Sequence, residues 1–274
     1  MVFHSHARLN IDHIPDDIIV PELIFNLKHG RRPLSQSNHS VLIDAPSGTA
    51  FDLNTVEERT EALEKGLSQE LNVKVGWNGI IGVFAPNHVP PFWARGGLIF
   101  LDYLATVFWA THRLGAAVSP ANPAYRPSEL SYQLKDSGAI ALVTSSALLS
   151  TALEAIKDLP AIQANRVYII DRQTHETQKT VEELIQNGRK LDKLTALKLA
   201  KGEAKTKLAF ICYSSGTTGL PKGVMMSHYN VISNVLQVAL HGKEFDDKKR
   251  DMTMTILPLY HSYGNSSYLH RRLN

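Results

Sequence analysis

The sequence predicts an α/β domain built on a mostly parallel sheet flanked by helices, and three observations predict it. Short apolar runs alternate with stretches of helical periodicity over most of the chain. The segments between successive strand candidates are long enough to hold crossover helices, as parallel strands require. Hydrophobic residues make up 43% of the 274 positions, ample for a buried core.

Val41 to Asp44 and Phe51 to Leu53 are short extended runs on either side of the turn residues Pro46-Ser47-Gly48, so they read as a small hairpin. A helix follows, with Asn54 or Thr55 as its expected cap, acids in its first turn, and Val56, Thr60, Leu63 and Leu67 on one apolar face. Ile80 to Phe84 is a buried strand that stops at Pro86-Asn87. From Asp102 a second helix carries Leu104, Val107, Phe108, Thr111 and Leu114 inward, and Gly115 is placed to end it in a left-handed conformation. Ser128 is the expected cap of a helix through Leu134 that Gly138 terminates. The strand Ile140 to Thr144, a helix near 147–157 and the strand Val167 to Ile170 complete a first subdomain over 1–171.

Residues 172–206 read as a polar connector between two halves. Thr180 and Glu183 within it have the spacing of a capping box, in which each side chain satisfies an orphan amide at a helix start. Lys207 to Tyr213 returns to a strand pattern and opens a second subdomain over 207–274.

Composition narrows the function. Lys and Arg total 29 against 26 Asp and Glu, and the basic residues are scattered, which argues against nucleic acid as a partner. The single cysteine, Cys212, excludes an internal disulfide and suits a reducing compartment; its apolar neighbours give it a buried strand position. The N-terminus has no apolar segment behind a basic start, so an intracellular location, cytoplasmic or peroxisomal, is expected. The apolar stretch from Gly96 to Thr111 contains Asp102, which costs about 2.5–3.5 kcal/mol at the centre of a membrane span, so no transmembrane segment is expected. No histidine or cysteine spacing suggests a metal site, His4, His6 and His228 included.

The chemistry concentrates between Tyr213 and Gly223, where Ser214, Ser215, Gly216, Thr217, Thr218, Gly219 and Lys222 directly follow an apolar strand. Glycines let backbone amides converge on an oxyanion, hydroxyls add donors, and an ammonium group supplies compact positive charge: this is a cradle for phosphate. It is not the common P-loop, which needs Gly before the Lys and Ser or Thr after it; here Lys222 lies between Pro221 and Gly223. Gly223 to Met226 then reads as a second strand, and Ser227 as the cap of a helix that turns Val231, Ile232, Val235 and Leu236 inward.

The run Ser214-Ser-Gly-Thr-Thr-Gly-Leu-Pro-Lys-Gly223 resembles the phosphate-binding signature of the adenylate-forming superfamily, which includes acyl-CoA synthetases, luciferases and peptide-synthetase adenylation domains. Phe84 to His88, Ala110 to Gly115, Val118 to Ala124 and Tyr132 to Gly138 are similar to the 4-coumarate-CoA ligase branch. The resemblance implies part of an adenylate-forming N-terminal domain. Ser214, Ser215, Gly216, Thr217, Thr218, Gly219 and Lys222 would bind ATP phosphates, and Lys222 would act in catalysis. Leu257 to Gly264 resembles the next family motif, in which His261 would lie at the acyl-adenylate and Tyr263 would line the acid pocket. The implied co-substrates are ATP with Mg2+, CoA, and a carboxylic acid, aromatic and coumarate-like or a fatty acid. Two other functions stay open: a peptide-synthetase-like adenylation enzyme, and a fragment that binds nucleotide without catalysis.

The sequence departs from its relatives in two places. Residues 90–101 are inserted and rich in large apolar residues, including Phe92, Trp93, Ile99 and Phe100; they read either as a tolerated surface loop or as translated non-coding sequence. Beyond Gly264 the similarity stops, so the second subdomain is expected to be truncated, the C-terminal lid absent, and the chain inactive by itself.

Overall fold

In the computed structural model the described residues are 14–26, 40–43, 50–87, 100–171, 177–214, 219–242 and 257–264. Among them the chain forms a two-stranded antiparallel hairpin and a six-stranded sheet. Residues 90–99 and the turn 46–48 lie outside this set, as does everything after Gly264.

Helix α1, Val20–Phe25, opens with Pro21 and buries Val20, Leu23 and Ile24. The hairpin pairs β1, Ser40–Ile43, with β2, Ala50–Asp52, and runs directly into helix α2, Leu53–Leu71. The cap of α2 is Asp52, not Asn54 or Thr55. Asp52 keeps extended backbone angles at the strand end, and its carboxylate accepts the Thr55 amide at 2.7 Å. Starting earlier than expected, the helix has no acid in its first turn. The expected face is inward all the same, with Val56, Thr60, Leu63 and Leu67 buried.

The central sheet begins with β3, Ile80–Phe84. Helix α3, Phe100–Arg113, starts two residues before the predicted Asp102 and so takes Phe100 and Leu101 into its first turn. Its burial exceeds one face: Trp109, Ala110 and His112 are as inaccessible as Leu104 and Phe108, because α1, α2 and the sheet enclose it. Gly115, with φ of 88°, ends α3 in a Schellman turn, its amide on His112 O and that of Ala116 on Thr111 O. Then follow β4, Ala117–Pro120, helix α4, Pro127–Ser137, and β5, Ala141–Thr144. Helix α4 starts earlier than predicted, with Pro127 in its first turn and Glu129 accepting the Arg126 amide at 2.8 Å, so that Ser128 is not the cap, while Gly138, with φ of 71°, ends it as expected.

Helix α5, Leu149–Ile156, and strand β6, Val167–Ile169, close the first half. Helix α6, Val181–Gly188, has the predicted capping box, Thr180 Oγ1 receiving the Glu183 amide and the Glu183 carboxylate receiving that of Thr180. Although it comes from a polar stretch, α6 is packed tightly on α2. A methyl group on Gly188 would stand 1.8 Å from Ala62 O, and one on Gly66 would stand 2.2 Å from Leu184 O. Two bare backbones facing one another let these helices approach this closely, and Val181, Leu184 and Ile185 are buried as a result. Strands β7, Leu208–Ser214, and β8, Lys222–Ser227, form the last hairpin, followed by helix α7, His228–Gly242. Ser227 caps α7 as expected, accepting the Asn230 amide at 3.2 Å.

The sheet order is β6-β5-β3-β4-β7-β8, parallel throughout except where β8 returns along β7. Alternate residues of each strand go to opposite cores. Ile81, Val83, Val143, Tyr168 and Phe210 meet α2, α3, α6 and α7, whereas Phe84, Leu142, Val167 and Ile169 meet α4 and α5. Both faces are therefore covered, as the sequence predicts. No helix of the described residues is long and apolar enough to cross a membrane.

Candidate phosphate-loop site at the carboxyl edge of the sheet

The β7–β8 hairpin builds the first part of the site. Its register places Ser214 opposite Lys222, Cys212 opposite Val224 and Phe210 opposite Met226. Directly opposed residues of an antiparallel pair project to one face, so the Ser214 hydroxyl and the Lys222 side chain emerge side by side at the end of the ladder. Both are exposed. The loop they close continues to Gly219, whose φ of 140° only glycine adopts readily. Ser215, Gly216, Thr217 and Thr218 lie outside the described residues.

The second part is the segment 257–264. It is fastened to the first half by Asn87, three residues beyond β3: the Asn87 amide donates to Leu257 O at 2.7 Å, and its carbonyl accepts the Leu259 amide at 2.7 Å. One side chain thus satisfies two backbone groups of a non-repetitive segment. Leu259 is buried in the main core, and the His261 amide closes a turn on Pro258 O at 3.1 Å. A methyl group on Gly264 would fall 2.2 Å from Pro258 O, which is why glycine stands there. His261 is exposed at this turn; the side chain of Tyr263 lies outside the described residues.

Strands β3 and β7 run parallel with only β4 between them, so Asn87 with the His261 turn and the Ser214–Lys222 pair lie on the same, carboxyl edge of the sheet. The chain order reverses at β3, since β4 lies on one side of it and β5 on the other. Crevices at such a switch point are where open α/β sheets take ligands. The donors described on this edge, the Ser214 hydroxyl and the Lys222 ammonium, suit an anion.

Two buried groups nearby are structural. Burial pushes the Cys212 thiol up to about 12, so it stays protonated and packs as an apolar residue, as expected. His112 and His228 meet edge to face at 4.9 Å; His112 Nε2 donates to Ala209 O at 2.9 Å, and His228 Nδ1 accepts the Val20 amide at 3.2 Å. These rings join α1, α3 and α7 to β7. Among the described residues no group of three His, Cys, Asp or Glu could hold a metal ion.

Residues 101–270 match the family of AMP-binding enzymes, and the chain belongs to that family. It is 29% identical over 244 residues to an acyl-CoA ligase of Cordyceps militaris, covering 83% of this chain and 38% of that protein. It is 27% identical over 281 residues to a 4-coumarate-CoA ligase of Oryza sativa subsp. japonica, covering 97% of this chain and 43% of that protein. The crystal structure of an anthranilate CoA ligase in complex with anthranoyl-AMP superposes with a TM-score of 0.70 at 19% identity, covering 97% of this chain and 45% of that one, a likeness of fold. The chain thus spans about two fifths of the length of the curated relatives it matches.

Sequence reasoning assigned no role to Asn87, Tyr132 or Asp136. Only a pairing across 170 residues distinguishes Asn87, and no local pattern reports such a contact.

Proposed function

We propose that this chain supplies the nucleotide-gripping part of an ATP-dependent acid–CoA ligase. A carboxylate oxygen attacks the α-phosphorus of ATP, the bond to the bridging oxygen breaks, and pyrophosphate leaves; the thiol of CoA then attacks the acyl carbon and AMP departs. Ser214 to Gly219 and Lys222 hold the β- and γ-phosphates, where donors fixed in advance offset the charge that grows on the leaving group. Mg2+ bound with the nucleotide would screen the same charge. His261 and Tyr263 stand at the acyl-adenylate, and the acid is aromatic or fatty. The observation that supports this reading best is the in-register pair Ser214–Lys222 at the carboxyl edge of a parallel sheet, closing a glycine- and hydroxyl-rich loop.

Titration calorimetry with ATP and magnesium, run on the chain and on Lys222→Ala, tests it. Binding should weaken by at least about tenfold in the variant, since a charge-assisted contact to phosphate is lost. An identical isotherm for the two proteins refutes the assignment of the loop.

A further inference from the structure

We propose that helix α4 fixes the two chain ends, or stalks, that flank the phosphate loop, with Tyr132 and Asp136 as positioning residues that grip them. The inference rests on the reading of the loop given above. The Tyr213 hydroxyl, on the incoming stalk, donates to Asp136 Oδ2 at 2.5 Å. The Tyr132 hydroxyl donates at 3.1 Å to Pro221 O, on the outgoing stalk. Tyr132 and Asp136 are four residues apart, so they project from one face of α4 and reach the hairpin together.

Two further features fit this role. A methyl group on Gly223 would lie 3.0 Å from Ile211 Cγ2 and 3.1 Å from Tyr213 Cζ, so the bare backbone opposite Tyr213 is what lets its ring lie across the hairpin toward α4. Helix α4 is itself fixed. Leu134 occupies the space that a side chain at Gly82 of β3 would need, with 2.6 Å between Cδ2 and the missing Cβ. Buried Gln133 donates to Ser119 Oγ at 2.9 Å and to Pro120 O at 3.1 Å, at the end of β4. Burial and the adjacent Asp136 carboxylate both raise the Tyr213 phenol above its ordinary range, so it remains a donor at neutral pH.

A glycine-rich loop loses much conformational freedom when it closes on a ligand, and tethering both stalks lowers that loss before the ligand arrives. The test compares the chain with Asp136→Ala, Asp136→Asn, Tyr132→Phe and Lys222→Ala, using calorimetry with magnesium ATP and amide hydrogen exchange without ligand. Asp136→Ala and Tyr132→Phe should each weaken binding about tenfold and speed exchange across 214–222, with the melting temperature little changed. Asp136→Asn keeps a carbonyl oxygen for the Tyr213 hydroxyl and should bind within about twofold of the parent. Binding that Lys222→Ala abolishes and Asp136→Ala leaves intact overturns the clamp alone, as does an Asp136→Asn variant as weak as Asp136→Ala. Binding that Lys222→Ala does not affect, or none by the parent chain, overturns the reading of the loop as well.

Discussion

The fold should lose stability between neutral and mildly acid pH because of one buried imidazole. His112 is wholly inaccessible, enclosed by the rings of Phe210 and His228 at 4.9 Å each, with Nε2 on Ala209 O. Burial lowers its pKa from 6.5 to about 4. The unfolded chain therefore binds this proton below about pH 6.5, whereas the native fold resists it until about pH 4. The stabilisation is complete above the higher value and is lost as pH falls through that interval. At pH 5 the loss is about 2 kcal/mol, and below pH 4 it approaches about 3 kcal/mol. Urea unfolding at pH 7 and pH 5 measures it directly, with His112→Gln as the reference. The variant does not titrate at this position, while His228 and the carboxylates are common to both proteins, so the parent should lose about 2 kcal/mol more than the variant. Equal losses for parent and variant refute the argument, as does a His112 ring proton in NMR that titrates near pH 6.

Two more outcomes are expected. Gly188→Ala drives a methyl group into Ala62 O and must push α6 off α2, so unfolding experiments should show a loss of at least about 1–3 kcal/mol; an unchanged midpoint would mean the two backbones are not in contact. Asn87→Ala removes both bonds to the 257–264 segment, and the Leu259 amide should exchange at least about tenfold faster while the exchange of β3 and β5 amides is kept; unaltered protection of Leu259 would show that another group holds the turn.

The parallel sheet, its two covered faces and the early hairpin were legible because strand and helix periods and turn residues are local signals that agree with one another here. The proposed phosphate loop stands out in the sequence for a chemical reason: few purposes other than anion binding put hydroxyls, glycines and a lysine at these spacings after a strand. Helix starts were less so. Asp52 displaced Asn54 and Thr55 as the cap of α2 because the end of β2 set the backbone angles of Asp52, and sequence spacing alone does not fix where a strand stops.

By itself, then, the sequence determined the class of fold and pointed to the proposed loop, both through signals that lie within a dozen or so consecutive residues at a time. Tertiary structure alone decided the long-range contacts of its flanking residues and of the 257–264 turn. Asp136 meets Tyr213 across 77 positions and Asn87 meets Leu259 across 172, and such partners are chosen by strand order and helix packing after the chain has folded. The same holds for α6, whose polar surroundings in sequence conceal a glycine face that becomes meaningful only against the backbone of α2.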